Sequence, residues 1–264
     1  MSEPTILSHI DDAGRATLTM NRPELHNAFD DRFIAAMTAE LKRLEAEAQV
    51  RVLLLAGSGK SFSAGADLAW MKRMAGYSRE ENLVDAQGLA ELLRTLNCFS
   101  RPTIALVQGA AYGGGVGLAA CCDMVLAVQG ATFCLSEVKL GLIPAVISPY
   151  VSGAIGARAC RRYFQTAEPF DAQEAHRLGL VNEVVESEAA LAAAADRICN
   201  ALLQNGPKAM AAAKELIAAV GGRPVDTGLI ADTAGRIADQ RASAEGKEGV
   251  AAFLEKRKPE WVKG

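Results

Sequence analysis

The stretch Thr103-Ile-Ala-Leu-Val107, Gln108-Gly-Ala-Ala-Tyr112, Gly113-Gly-Gly-Val-Gly117, Leu118-Ala-Ala-Cys-Cys-Asp123 decides the fold. Its first five residues are apolar or β-branched, as in a strand buried on both faces. Residues 118–122 can turn as a helix, so the glycines fall where a strand gives way to a helix N-terminus. Backbone N–H groups at such a junction have no intrahelical partner and carry partial positive charge. Glycine also removes the Cβ that would hold a ligand carbonyl at a distance. The junction therefore suits an oxyanion that develops during a reaction.

Working outward, alternation through Ile6, Ser8 and Ile10, then residues 15–20, around Asp12-Ala-Gly14 predicts a β-hairpin that Asn21-Arg22-Pro23 ends. Phe33, Met37, Leu41 and Leu44 recur at helical spacing after a cap at Asp30 or Asp31, followed by a buried strand over residues 50–56. A second helix over about 80–96 leads into the strand from Thr103. A third strand is expected over 124–128, with another extended piece near Phe133, and the alternation implies parallel pairing through helical crossovers. Beyond Pro144 the chain turns helical. Asp171 and Glu174 form a capping-box pattern with Gly179 as the stop, and helices are expected over 188–203 and 207–220. The apolar positions of these two helices (Leu191, Ala195, Ile198, Leu202; Met210, Leu216, Ile217) suit a core stripe or packing between subunits.

The chain has 264 residues, half of them apolar, with a net charge of −3 and Lys and Arg spread along it. That argues for a self-sufficient core and against nucleic acid as a partner. No apolar run approaches the ~20 residues that span a bilayer, so no membrane association is expected. Residues 1–10 lack a signal or transit pattern, and a cytoplasmic protein is expected. The six cysteines show no C-x-x-C pair or metal spacing, and the three histidines have no Ser, Cys or second His at useful spacing. No metal site is expected.

A second loop, Ser61-Phe-Ser-Ala-Gly-Ala-Asp-Leu68, follows the strand over 50–56 and offers another set of backbone donors facing the same place, or simply an ordinary helix N-cap at Asp67. Two partial matches fail. Gly59-Lys60-Ser61 would end a P-loop, but Leu54 stands at its first glycine position; Ser61 to Gly65 would be a nucleophile elbow only with glycine at 61. A carboxylate or a tyrosine must then handle protons. Glu137, among Phe133, Leu135, Val138, Leu140 and Ile143, is the best placed, either desolvated and poised for proton transfer or reaching solvent beside Lys139.

Taken in order, Asn21-Arg22-Pro23 with Asn27-Ala28, Phe62-Ser-Ala-Gly-Ala-Asp-Leu68, residues 104–123, Leu135-Ser-Glu-Val-Lys-Leu-Gly-Leu-Ile-Pro144, and residues 172–181 and 245–258 resemble the enoyl-CoA hydratase/isomerase (crotonase) family over essentially the entire chain. The resemblance implies an α/β fold. Residues 1–200 would form a crotonase-like spiral of ββα units with an acyl-CoA site. Residues 201–264 would form a helical C-terminal region that assembles a homotrimer or dimer of trimers. By position it assigns Ala66 and Gly114 as the two backbone N–H donors to the thioester oxygen and Glu137 as the catalytic carboxylate. It sets Leu25, Asn27 and Ala28 along the CoA nucleotide, counts Ala64, Asp67, Leu68, Gly113 and Pro144 among the substrate-binding positions, and places Phe253 and Lys256 in a tail that touches CoA. Coenzyme A enters as part of the substrate, with no permanently bound cofactor.

The chain departs from the two-glutamate hydratase pattern at Gly117, where the first glutamate stands in those enzymes, and at Ala145-Val-Ile-Ser-Pro-Tyr150, which replaces a Gly-rich stretch. Within the family, Ala66-Asp-Leu-Ala-Trp-Met71, Cys121-Cys-Asp123 and residues 243–249 look most like bacterial methylglutaconyl-CoA or carboxygeranoyl-CoA hydratases, which serve leucine and acyclic-terpene breakdown. The resemblance thus implies addition of water to an enoyl-CoA, with Lys72, Arg73, Ser148 and Tyr150 as candidates to meet a substrate carboxylate. The rivals are a Δ3,Δ2-enoyl-CoA isomerase working with Glu137 alone and a non-catalytic acyl-CoA-binding or RNA-binding relative. The acidic balance and the retained Glu137 disfavour the last.

Overall fold

An Asp11 carboxylate that accepts from the N–H groups of Ala13 and Arg15, with Gly14 at φ 88°, turns the chain between β1 (Ile6–Ile10) and β2 (Arg15–Met20), which pair antiparallel. From here the computed structural model, which describes residues 4–262, repeats one theme. Helix α1 (Asp31–Ala46) is capped by Asp30, which accepts from Phe33 N–H, and buries Phe33, Ile34, Met37, Leu41 and Leu44. It returns the chain to β3 (Val52–Gly57). After α2 (Leu68–Met74), α3 (Arg79–Asn97) opens on a capping box between Ser78 and Glu81.

The next turns of the spiral each place one strand in a large sheet and one in a small sheet. β4 (Thr103–Val107) and β5 (Ala110–Tyr112) precede α4 (Gly114–Cys121); β6 (Met124–Val128) and β7 (Thr132–Cys134) precede α5 (Ser148–Thr166). β8 (Phe170–Asp171), α6 (Ala172–Leu178) and β9 (Glu183–Val185) close it, followed by α7 (Glu188–Leu203), α8 (Pro207–Val220), α9 (Thr227–Ala242) and α10 (Ala244–Leu254). The large sheet runs β1-β2-β3-β4-β6-β9 with every pair after the hairpin parallel, and the small one runs β5-β7-β8. This is the ββα spiral that the resemblance implies.

Both faces of the large sheet are covered, which is why its strands read as unbroken apolar runs. Leu53 and Leu55 face the main core with Phe29, Phe33, Phe62 and Phe133, while Val52, Ile104 and Leu126 pack on Leu191, Ala195 and Cys199 of α7. Each such side chain contributes roughly 1.5–3 kcal/mol by burial.

One expectation needs correction. The strand from Thr103 does not pass directly into a helix at Leu118: β5 intervenes and α4 begins four residues earlier, at Gly114. Gly109, at φ 57°, makes this route available, because a Cβ there would lie 1.9 Å from the Lys60 carbonyl oxygen. The capping box expected at α6 is half formed. Asp171 accepts from Glu174 N–H, but the Glu174 carboxylate takes the Tyr163 hydroxyl and Arg177 instead.

The stripe of α7 is core, but that of α8 is not. Within one chain α8 buries nothing, α9 only Leu229 and α10 only Ala252, and Leu216, Ile217, Ile230, Ile237, Phe253 and Leu254 stay exposed. These three helices pack on one another and are tied back by Arg51, which donates to the Asn205 and Trp261 carbonyls, and by Lys214 on Asp123 at 2.8 Å. All six cysteines are free; five are buried and Cys98 is exposed. Burial pushes the Cys122 thiol up to about 12. Among the described residues no helix is long and apolar enough to cross a membrane, and no three His, Cys, Asp or Glu side chains gather as metal ligands.

Candidate active site

Two loops meet under Glu137. In the first, Phe29 and Ala66 form an isolated parallel bridge: Phe29 N–H donates to Gly65 O at 2.8 Å and Asp67 N–H to Phe29 O at 3.0 Å. The Ala66 N–H between them has no acceptor among the described residues. Asp67 then caps α2, taking Ala69 N–H at 2.8 Å and Trp70 N–H at 3.1 Å on one oxygen. Its other oxygen accepts from Arg22 at 3.2 Å, and the same guanidinium donates to the Ala28 carbonyl at 2.8 Å. One cation thereby fixes the segment carrying Phe29 to the loop carrying Ala66.

In the second loop, Gly113 at φ 50° donates to Cys134 O and accepts from the N–H groups of Val116 and Gly117. Combined with ψ −117°, that φ lies outside the left-handed well other residues can enter, and only glycine adopts it without strain. Gly114 N–H, the first of α4, has no acceptor among the described residues, as expected of a helix start. A second isolated bridge, Ser63 with Ala111, joins the loops through Ser63 N–H to Ala110 O and Tyr112 N–H to Ser63 O. They also touch through side-chain space. A Cβ on Gly114 would lie 2.4 Å from Cζ of Phe29, so the ring of Phe29 supports Gly114 while its backbone fixes Ala66.

Glu137 opens a short 3-10 helix (Glu137–Leu140) directly after β7. Its Oε1 lies 3.3 Å from where a Cβ on Gly113 would be, and its Oε2 is buried with no hydrogen-bond partner. Among the described residues it makes no ion pair with Lys139, and of the two settings its sequence allows the partly desolvated one is found, with the residue half-buried and one carboxylate oxygen fully so. Burial raises its pKa above the ordinary 4.5, opposed only in part by its own backbone N–H. A half-buried carboxylate with one oxygen buried and unpartnered, near two unpaired N–H donors, can move a proton to or from a carbon whose neighbouring carbonyl takes up the charge.

Comparison with known proteins decides which chemistry this geometry serves. Residues 11–264 match the model of the enoyl-CoA hydratase/isomerase family. The chain belongs to that family. A solved enoyl-CoA hydratase from Shewanella pealeana superposes with a TM-score of 0.95 at 46% identity, over 98% of this chain and 96% of that one. Crotonyl-CoA hydratase of Syntrophomonas wolfei is 33% identical over 253 residues, covering 94% of each chain. 1,2-Epoxyphenylacetyl-CoA isomerase of Escherichia coli is 33% identical over 275 residues, covering 97% of this chain and 98% of its own. Membership makes the chain an enzyme of the enoyl-CoA hydratase type, a class of hydro-lyases acting on CoA thioesters.

The remaining family positions divide by burial. Leu25 is half exposed and Ala64 and Leu68 are exposed, whereas Ala28 and Pro144 are buried. Asn27 is fully buried; its amide donates to the Ser58 and Ser61 carbonyls and its oxygen accepts from Arg22 N–H, so its side chain braces the loop from within. Phe253 lies in the last turn of α10 and Lys256 two residues beyond its end, and neither makes a hydrogen bond or ion pair with the two loops or Glu137. Of the candidates for a substrate carboxylate, Arg73 is held by Asp31 and Ser148 donates to Ala145 O, while Lys72 is exposed without an ion-pair partner among the described residues.

Sequence spacing also missed a pairing: His26 Nδ1 lies 3.0 Å from Ser61 Oγ. Among the described residues no carboxylate bonds the other ring nitrogen, so the contact ties two loops together rather than building a triad. A cavity of about 900 Å³ between α1 and α3 includes Ile34, Thr38, Lys42, Tyr77 and Val84 in its lining but none of Ala66, Gly114 and Glu137. The chemistry lies elsewhere.

Proposed function

We propose that the chain adds water across the 2,3 double bond of an acyl-CoA thioester, with Glu137 as its single proton-handling group. The substrate would be 3-methylglutaconyl-CoA or a related branched, carboxylated enoyl-CoA. One arrangement carries the reading: the unpaired N–H groups of Ala66 and Gly114 near a half-buried Glu137 whose Oε2 is buried without a partner. Glu137 takes a proton from water as the oxygen bonds to carbon 3. The π electrons move to the thioester oxygen, which the two amides hold, and the enolate then receives the proton at carbon 2 from the same carboxyl. Water is consumed and Glu137 is regenerated. Loss of one such donor typically costs about 2.7–4 kcal/mol of transition-state stabilisation.

Leu25, Asn27 and Ala28 belong to the loop that would follow the CoA nucleotide; Ala64, Asp67, Leu68, Gly113 and Pro144 would surround the pantetheine and acyl group. The exposed apolar faces of α8 and α10 support assembly of residues 201–264 as a homotrimer or dimer of trimers, with Phe253 and Lys256 reaching CoA. The reading places the enzyme in the cytoplasm.

Gly117 favours a second reading, a Δ3,Δ2-enoyl-CoA isomerase. One carboxylate can take a proton from carbon 2 and return it to carbon 4 without water. Turnover in oxygen-18 water distinguishes the two. Label in a 3-hydroxyacyl product from 3-methylglutaconyl-CoA supports hydration; unlabelled double-bond migration in a 3-enoyl-CoA, with no action on the first substrate, replaces it with isomerisation.

A further inference from the structure

Gly117 lies inside α4, at an ordinary helical φ, so no backbone conformation requires a glycine there, and glycine disfavours a helix interior relative to alanine. Packing gives the reason. A Cβ on Gly117 would lie 2.4 Å from Cγ2 and 2.9 Å from Cβ of Ile147, with Leu93 Cδ2 at 3.6 Å. Ile147 is almost fully buried and cannot swing away, because its backbone starts α5: its carbonyl accepts from Val151 N–H, and the next turn contains Pro149.

The occupied space adjoins the catalytic carboxylate. Gly117 N–H donates to Gly113 O, so the two positions sit one turn apart at the head of α4, and the 3-10 helix that Glu137 opens packs against α5, which Ile147 precedes. A Cβ on Gly113 would meet Glu137 Oε1, and one on Gly117 meets the Ile147 methyl.

Resting on the function proposed above, we propose that Ile147 determines which proton path the site can use. Its γ-methyl fills the volume of a side chain at 117, closing that side of the Glu137 pocket to a second carboxylate. Gly117 and Ile147 form a size-exchanged pair, and the single-carboxylate site is a property of both residues. Position 117 cannot accept a carboxylate unless Ile147 is reduced at the same time.

The test uses Gly117→Ala, Gly117→Glu, Ile147→Gly and the Gly117→Glu/Ile147→Gly and Gly117→Ala/Ile147→Gly doubles in the full-length protein. Thermal unfolding comes first and needs no substrate. Gly117→Ala should lower Tm in the wild-type background and cost less, or nothing, in the Ile147→Gly background; equal losses in both would overturn the steric pairing. The second readout is the ratio of hydration of 3-methylglutaconyl-CoA to double-bond migration in a 3-enoyl-CoA, with its pH profile. The Gly117→Glu/Ile147→Gly double should raise that ratio over Ile147→Gly by at least about tenfold and add a second ionisation to the hydration profile. A Gly117→Glu single variant that folds and gains as much, or a double with an unchanged ratio and profile, refutes the role of Ile147. If the wild type acts on neither substrate, the functional reading fails, while the Tm comparison still decides the packing.

Discussion

Replacing Gly114 with alanine adds one methyl group at a helix position whose backbone alanine adopts freely, so its effect is purely one of space. The added carbon would lie 2.4 Å from Cζ and 2.7 Å from Cε2 of Phe29, far inside contact distance. Phe29 is 1% exposed and stacks on Phe33 with ring centroids 6.1 Å apart, so it has little room to yield. Overpacking of this kind costs about 1–3 kcal/mol, and each kcal/mol lowers Tm by roughly 2–4 °C for a chain of this size. The kinetic loss should be larger. Moving the Gly114 N–H away from the developing oxyanion removes one donor, while pressure on Phe29 disturbs the bridge that fixes Ala66. A fall in kcat of about 10²–10³ is expected, equivalent to about 2.7–4 kcal/mol. Steady-state kinetics on the enoyl-CoA substrate and a circular-dichroism melt measure both. Phe29→Leu removes the two clashing ring atoms and should return part of the activity to the double variant. Full turnover in Gly114→Ala, accompanied by the expected loss of Tm, would show that the clash is real and that the Gly114 amide is not a catalytic donor.

Glu137→Gln should lower turnover by about 10²–10⁴ and also stabilise the fold at neutral pH. Burial raises this carboxyl above its ordinary 4.5, so between the two values the folded state keeps a proton that the unfolded chain has released. Stability therefore falls as pH rises through that window, and the variant's gain in Tm at pH 8 should vanish below the ordinary carboxylate range. An unchanged Tm difference across that range would contradict the desolvation. Asp67→Ala removes both the α2 cap and the Arg22 partner and should cost about 0.5–2 kcal/mol through the cap alone. Asp67→Asn should keep most of that stability but, by losing the charge on Arg22, lower kcat. Ile217→Glu places a charge on the exposed α8 face; sedimentation should show the wild type as an assembly of three or six chains and the variant dissociated, and a monomeric wild type would contradict the assembly.

Long periodic elements were legible because one pattern covers many residues. The hairpin, α1, α3 and the parallel strands β3, β4 and β6 follow from apolar spacing, and α7 and α8 keep their expected bounds. Short elements escaped because their cause is tertiary. β5 and β9 are three residues each, held in place by strands already formed beside them. α4 begins at Gly114 against glycine's propensity because its small face packs on Ser63 and Ile147. At the site, Glu137 was visible from its apolar neighbours, but its missing partner was not, since a bond to Lys139 or to solvent fits the same sequence. The role of Asn27 lay hidden for a similar reason: an amide beside a family motif does not reveal whether it faces the ligand or the loop interior.

Placing both proposed oxyanion donors on one aromatic ring has a consequence for how this enzyme can vary. On the function proposed above, transition-state stabilisation comes from backbone N–H groups, which among substitutions only proline removes directly, so activity changes chiefly through whatever positions the backbone. Phe29 does so twice, by the bridge to Ala66 and by ring contact under Gly114. Arg22 holds the same segment through the Ala28 carbonyl and Asp67. Changes on this support should lower kcat at both donors together, whereas on the proposal above changes at Ile147 and Gly117 should act only where the acyl group meets Glu137. Rate and reaction choice would then be set by different neighbours of one site, and a change in one need not carry the other with it.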